Sequence, residues 1–184
     1  MKRNPSATLV ATCITAAATV LAASPANAQS TEEMVKSALS AAPAEIAADA
    51  TVMDGSGNVL REGTNGYTCF PDDPRPGNSP MCLDSGWMAW ADAWMNRKPV
   101  TLPQQISFAY MLQGDAPTSN TDPFATEPTA DNEWLEEIGP HLMVLVPDLK
   151  MLEGFTSDPD YGGPYVMWRG TEFAHLMIPV GEMH

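Results

Sequence analysis

The sequence predicts a single α+β domain: a small antiparallel or mixed sheet with one tryptophan-rich helix and one disulfide. Three observations support this prediction. Short segments with a strand-like apolar pattern are separated by turns rich in glycine and proline. One helical segment carries three tryptophans on one face, and two cysteines flank a proline-rich segment.

The first 28 residues have the pattern of a cleavable signal peptide. Lys2 and Arg3 precede an apolar, small-residue stretch, and the Ala-Asn-Ala sequence at 26–28 is a small-x-small cleavage site. We therefore expect residues 1–28 to be removed. Residues 29–184 then form one acidic domain in the periplasm or outside the cell.

Two alternatives to a cleavable leader explain this segment less well. A transmembrane anchor calls for a longer apolar run, and this one is rich in Ala and Thr with no basic cluster after it. A lipoprotein would use Cys13, but Thr12 is a poor residue to precede a lipidated cysteine. Simple secretion is the better interpretation.

The net charge of the chain argues against some classes of binding partner. Residues 29–184 retain all 23 acidic residues but only seven of the nine basic ones, which gives a formal net charge of −16. A charge of this size favours solubility and repels nucleic acid and anionic membranes. We therefore expect neither of these as a partner, and a small molecule, a metal ion or a protein remains open.

The cysteine count agrees with export. Once Cys13 is removed, Cys69 and Cys82 remain, and an even pair in an oxidising compartment most simply forms a disulfide. The alternative, a metal site built on two cysteines, lacks the Cys-x-x-Cys spacing and a nearby histidine. We therefore expect a Cys69–Cys82 bridge.

The N-terminal half begins with helix and changes to strand. Residues 29–50 predict an amphipathic helix that Ser30 or Thr31 caps and Pro43 interrupts. Residues 51–61 then predict a hairpin around a glycine-rich turn. This turn resembles the start of an EF-hand loop, but it lacks the glycine and the glutamate that such a loop needs at its sixth and twelfth positions. Turn chemistry is the better interpretation.

Residues 83–97 give the clearest helical pattern. Trp87, Trp90 and Trp94 fall at i, i+3 and i+7, which places the three indoles on one face. A stripe of this kind is more often core than surface, because three exposed indoles would make an unusually large apolar patch. An exposed aromatic surface that stacks on sugars is the alternative.

The rest of the chain predicts more sheet. Residues 106–112 alternate as a strand, and further strands are expected at 142–146, 164–168 and 173–180. Residues 113–132 form a long polar loop whose carboxylates could supply oxygen ligands to a hard cation, although loop carboxylates are ordinarily solvated.

Two of the final strands share the sequence His-Leu-Met followed by a β-branched residue. Alternate side chains of a strand share a face, so His141 lies with Met143, and His175 lies with Met177. If the strands are neighbours, these four side chains form a His₂Met₂ set. Imidazole with thioether suits copper, particularly Cu(I). The alternative is that the methionines are ordinary core and the histidines are hydrogen-bonded or solvated.

Catalytic signatures are missing from the sequence. It contains no Gly-x-Ser-x-Gly elbow, His-Glu-x-x-His helix, P-loop or dinucleotide-binding glycine pattern. We therefore expect a non-catalytic binding or structural domain. Two alternatives remain open: copper binding through the His/Met set, and an extracytoplasmic enzyme that uses His141 or His175 as acid–base.

Three stretches together resemble a family of exported bacterial proteins of unknown function. They are REGTNGYTCFP at 61–71, PMCLD at 80–84 with WMAWADAWM at 87–95, and GGPYVMW at 162–168 with AHLM at 174–177. The resemblance spans most of the chain after the leader. It implies export and a shared fold, and it brings no activity or site with it.

Overall fold

The computed structural model describes Met1, residues 29–72 and residues 79–181. The predicted signal peptide, apart from Met1, lies outside the described residues, and so does the segment 182–184. Within the described ranges, no helix is both long and apolar enough to cross a bilayer.

The described residues form a mixed α and β structure. The helices are α1 (Thr31–Leu39), α2 (Ala44–Ala47) and α3 (Ser85–Met95), with 3-10 helices at Leu149–Leu152 and Pro159–Tyr161. The strands are β1 (Thr51–Met53), β2 (Val59–Arg61), β3 (Thr68–Phe70), β4 (Met81–Leu83), β5 (Ser107–Met111), β6 (Thr118–Ser119), β7 (Trp134–Leu135), β8 (His141–Leu145), β9 (Tyr165–Met167) and β10 (His175–Pro179).

Eight of these strands form one sheet in the order β2-β1-β3-β4-β5-β8-β10-β9. Strands β1 and β3 run parallel, and the other neighbouring pairs in this sheet are antiparallel. The predicted α+β class with a mixed sheet is therefore confirmed, and the sheet is larger than the sequence suggested. Strands β6 and β7 form a separate two-stranded sheet.

Helix α1 begins where the sequence predicts, because Ser30 and Glu33 form a capping box. The Ser30 hydroxyl accepts a hydrogen bond from the Glu33 amide, and the Glu33 carboxylate accepts one from the Ser30 amide at 2.8 Å. The helix packs its small apolar residues on one face of the sheet, against Val52 and the two cysteines. This contact buries the disulfide under α1.

The Cys69–Cys82 disulfide is present and joins two neighbouring strands. The two cysteines lie opposite each other in the antiparallel ladder between β3 and β4, and both are fully buried. Strand β4 did not stand out in the sequence, because its three residues lie between the proline-rich segment and the cap of α3.

Helix α3 covers the opposite face of the sheet. Asp84 caps it: one carboxylate oxygen accepts from the Gly86 and Trp87 amides and from the Ser107 hydroxyl, while the other accepts from the Phe108 amide at 2.7 Å. This single side chain therefore fixes both the start of α3 and its position on β5. The main hydrophobic core lies between α3 and the strands β4, β5, β8, β10 and β9, which are consecutive in the sheet.

Two loop predictions can be compared with the structure. The glycine-rich turn between β1 and β2 is stabilised by Asp54, whose carboxylate accepts from the amides of Ser56 and Asn58 and from the Asn58 side chain. The turn interpretation is confirmed for this segment. The polar segment 113–132 is more ordered than expected, because it contributes β6 and an isolated bridge between Asp115 and Ile138.

Candidate functional site: a buried face of histidine and methionine

The two strands that share the His-Leu-Met sequence are neighbours in the sheet. Strands β8 and β10 pair antiparallel, and Met143 lies opposite Met177. Because alternate residues of a strand share a face, His141 and His175 point to the same side as this methionine pair. It is the side that α3 covers, since Trp87 and Trp90 of α3 pack in one cluster with Met177. All four side chains named by the sequence therefore share one face.

The register also separates the two histidines. His141 precedes Met143 by two residues and His175 precedes Met177 by two, and the strands run in opposite directions. The histidines thus lie on opposite sides of the methionine pair, about 14 Å apart along the strands at the usual rise. The structure brings together the strands and the methionines, and it places the two imidazoles at opposite ends of the set.

Both imidazoles have the same hydrogen-bonding pattern. Nδ1 of His141 bonds to the Gly139 carbonyl at 2.7 Å, and Nδ1 of His175 bonds to the Phe173 carbonyl at 3.0 Å. A carbonyl oxygen only accepts, so each Nδ1 carries the proton. Both Nε2 atoms are buried and have no hydrogen-bond partner among the residues that the structure describes. Each ring therefore holds a free lone pair inside the protein.

Burial keeps both rings neutral. The pKa of His175 is lowered to about 4, mainly by burial. The hydrogen bond to the Phe173 carbonyl opposes this shift, and repulsion from a charged His141 adds to it. Burial also lowers the pKa of His141, with its carbonyl bond opposing. No carboxylate of the described ranges contributes to either shift. At neutral pH, both Nε2 atoms are consequently unprotonated and can bind a Lewis acid.

Two further methionines flank the histidines, and the sequence analysis missed both. Met111 of β5 lies opposite His141, and Met167 of β9 lies opposite His175. Both are buried, with 1% and 3% of their surface exposed. Only the pairing of β5 with β8 and of β9 with β10 places them beside the rings. The sequence offered the abundance of methionine as a hint and no positional signal.

The three tryptophans of α3 belong mainly to the core. Trp87 and Trp90 are buried, and only Trp94 reaches solvent, with 36% of its surface exposed. The core interpretation is confirmed for the first two, and the alternative of an exposed surface made of all three is wrong. The reason is that α3 lies over the centre of the sheet, where its indoles meet Trp168 and Phe173.

Hard-cation binding gains no support from the described residues. In residues 29–72 and 79–181, no three His, Cys, Asp or Glu side chains gather to hold a metal ion. Asp115 of the polar segment accepts from the Ala116 amide and the Ser79 hydroxyl, and burial raises its pKa to about 6. The side-chain ligands that the histidine face offers a metal ion are imidazole nitrogen and thioether sulfur.

A shallow groove of about 370 Å³ lies on the other face of the sheet, beside the 3-10 helix Leu149–Leu152. Its walls are largely apolar, and Arg169 is its basic residue. The Arg169 guanidinium already donates to the Ser157 hydroxyl and the Phe155 carbonyl. The groove thus offers little for recognising an anion, and it is separated from the histidine face by the sheet.

Comparison with protein-family models, with curated proteins and with solved structures finds no match for this chain. The resemblance to exported bacterial proteins therefore stays a prediction, and the functional argument depends on the site alone.

Proposed function

We propose that this protein is an exported, non-catalytic binding protein for a soft transition-metal ion, copper in particular. The observation that supports this proposal most is the pair of buried imidazoles, each with an unpartnered Nε2, on a face lined with methionine. The candidate ligands are His141 with Met143 at one end of this face and His175 with Met177 at the other, so that a copper ion at either end is held by imidazole nitrogen and thioether sulfur.

The free Nε2 atoms favour a bound ligand. A buried acceptor without a partner costs about 1–3 kcal/mol, and a metal ion on the lone pair removes that cost. The bond from Nδ1 to a backbone carbonyl is the arrangement that commonly orients a metal-binding histidine. His141 and His175 both have it.

The methionines favour a soft ion. Thioether sulfur binds Cu(I) well and binds hard or strongly hydrated cations poorly. The surroundings are neutral and apolar, so an ion of low charge is accommodated at lower cost than a divalent one. The acidic surface adds long-range attraction for cations in general.

Two features support a non-catalytic role outside the cytoplasm. No carboxylate acts on either histidine, so the acid–base enzyme that the sequence left open gains no support from the pKa shifts. The disulfide is typical of an oxidising compartment. Together with the leader pattern, it supports a periplasmic or secreted location.

The test is an anaerobic Cu(I) titration of the purified protein against a chromogenic Cu(I) chelator, with Cu(II) in parallel. We expect the wild type to remove Cu(I) from the chelator and the His141→Gln/His175→Gln variant to lose this ability. His184→Ala is the matched control and should bind as the wild type does. Equal uptake by the wild type and the double variant, or no uptake by the wild type, would contradict the proposal.

Because the double histidine variant removes two buried rings and could fail to fold, the test includes a second variant that keeps the volume of the core. Met143→Leu/Met177→Leu is nearly isosteric and removes only the sulfur atoms. We expect it to fold, as judged by near-UV circular dichroism, and to bind Cu(I) more weakly than the exposed control Met95→Leu/Met151→Leu.

A further inference from the structure

His175 lies inside a chamber of tryptophans. Its ring centroid is 5.3 Å from that of Trp87, 5.6 Å from Trp90 and 5.1 Å from Trp168, and each pair of ring planes is close to perpendicular. Trp90 and Trp168 are parallel to each other, with centroids 5.7 Å apart. Aromatic rings therefore surround this imidazole on several sides.

The chamber contains unused hydrogen-bonding capacity. Besides Nε2 of His175, the indole N–H of Trp90 is buried and has no hydrogen-bond partner within residues 29–72 and 79–181. Two neighbouring rings thus each present a polar atom that the described part of the protein leaves unsatisfied. In a well-packed interior such atoms are uncommon. The Nε2 lone pair is an acceptor that a cation can occupy, whereas the Trp90 N–H is a donor and is not a metal ligand.

Two thioethers border the same chamber. Met167 lies opposite His175 across the β9–β10 ladder, and Met177 lies two residues further along β10 on the same face. Both methionines belong to the buried cluster that contains Trp87 and Trp90. One imidazole, two thioethers and several indole faces therefore converge on this region.

His141 has a different environment. It has methionine neighbours in Met111 and Met143, but it makes no aromatic ring contact among the described residues. The two ends of the face are thus unequal, since the indole rings, whose electron-rich faces attract a cation, surround His175.

We propose that the His175 end of the face is the primary ion site and that it selects a monovalent soft ion, Cu(I) or Ag(I), with His175, Met167 and Met177 as ligands and the tryptophans as its walls. This inference rests on the proposed function. All three ligands are neutral, so a monovalent ion brings one charge into the apolar interior, and the indole faces offset it. A divalent ion would bring two charges with no carboxylate beside them.

The test uses Ag(I), which is monovalent and does not change oxidation state under these conditions, and it follows tryptophan fluorescence. We expect Ag(I) to quench the emission of the wild type with a saturable curve, because the ion lies against Trp87, Trp90 and Trp168. His141→Gln should weaken this response less than His175→Gln does. His175→Gln should lose it, with affinity about tenfold weaker or more. Zn(II) should neither quench nor compete.

A second variant removes the dependence on a histidine replacement. Met167→Leu/Met177→Leu keeps the core volume and removes both thioethers. We expect it to fold and to lose quenching by Ag(I), whereas Met95→Leu/Met151→Leu keeps it.

The possible failures separate this inference from the proposed function. If Ag(I) binding depends on His141 alone, or on both histidines equally, the chamber is not the primary site, while soft-metal binding still holds. If Zn(II) binds as tightly as Ag(I), the selectivity for a monovalent ion is wrong. If the wild type binds neither Ag(I) nor Cu(I), both proposals fail.

Discussion

Met143 lies directly opposite Met177 in the ladder between β8 and β10, on the face that α3 covers. This pair fixes the arrangement of the whole site. It places His141 at one end and His175 at the other, and it leaves each imidazole beside a further methionine from the next strand. The metal site that we propose therefore has two unequal ends.

We predict that the disulfide contributes strongly to stability. Cys69 and Cys82 are fully buried and 13 residues apart, and closing a loop of this size is worth about 3 kcal/mol. Cys69→Ala/Cys82→Ala should therefore lower the free energy of unfolding by about that amount in urea denaturation. Treating the wild type with a reductant should cause the same loss. An unfolding midpoint that is unaffected by both changes would show that the bridge is energetically unimportant.

Asp84 should contribute far more to the stability of the fold than Asp92, which lies on the same helix. It accepts hydrogen bonds from two amides of α3, from Ser107 and from the Phe108 amide, so Asp84→Ala removes the cap and the link to β5. We expect a loss of about 2 kcal/mol in the free energy of unfolding. Asp92→Ala removes an exposed pair with Lys98 and an exposed hydrogen bond from the Asn96 side chain, and it should change little. Similar losses in both variants would argue against the role of the cap.

The prediction for Asp115 concerns pH. Burial raises its pKa from 3.8 to about 6, so between these values the folded state binds more protons than the unfolded state. Stability from this group is therefore present at low pH and is lost as pH rises through 6, with a full effect of about 3 kcal/mol.

The measurement compares urea unfolding of the wild type and Asp115→Asn from pH 4 to pH 7.5. The amide is neutral at every pH, so the variant should gain stability relative to the wild type as pH rises, and the difference should level off above pH 6. A constant difference across the range would mean that the carboxyl titrates normally in the folded protein.

Substitution by alanine should have different effects on stability at two glycines, Gly63 and Gly154. A Cβ at Gly63 would overlap the backbone of Ala50 and Thr51, whereas a Cβ at Gly154 would meet nothing within 4 Å. Gly63→Ala should therefore cost about 1–3 kcal/mol in the free energy of unfolding. Gly154→Ala should be neutral or slightly stabilising. Thermal unfolding of the two variants side by side checks this, and equal melting temperatures would contradict it.

Much of the secondary structure could be predicted from local patterns. The sequence placed the start of α1 at Ser30 or Thr31, and the structure selects Ser30 as the cap. The tryptophan spacing predicted α3. Strands β8 and β10 lie where their alternating apolar residues predict them. These features depend on residues close in sequence, so one chain contains enough information to find them.

The pairing of strands could not be read in the same way. Nothing local shows that β1 pairs in parallel with β3, or that Met167 faces His175. Trp168 was also missed as a member of the tryptophan cluster, because it follows β9 at a positive φ of 55° and reaches the core from a turn. The sequence analysis placed four residues of the site on one face of the sheet. Only the strand register shows that the two methionines lie opposite each other and that the two histidines lie at opposite ends.

X-ray absorption spectroscopy at the copper edge, on the Cu(I)-loaded wild-type protein, tests the central claim most directly. We predict a spectrum with imidazole nitrogen and thioether sulfur in the first coordination shell, and loss of the sulfur contribution in Met167→Leu/Met177→Leu. A first shell of nitrogen and oxygen only, or no stoichiometric copper on the protein, would contradict the account.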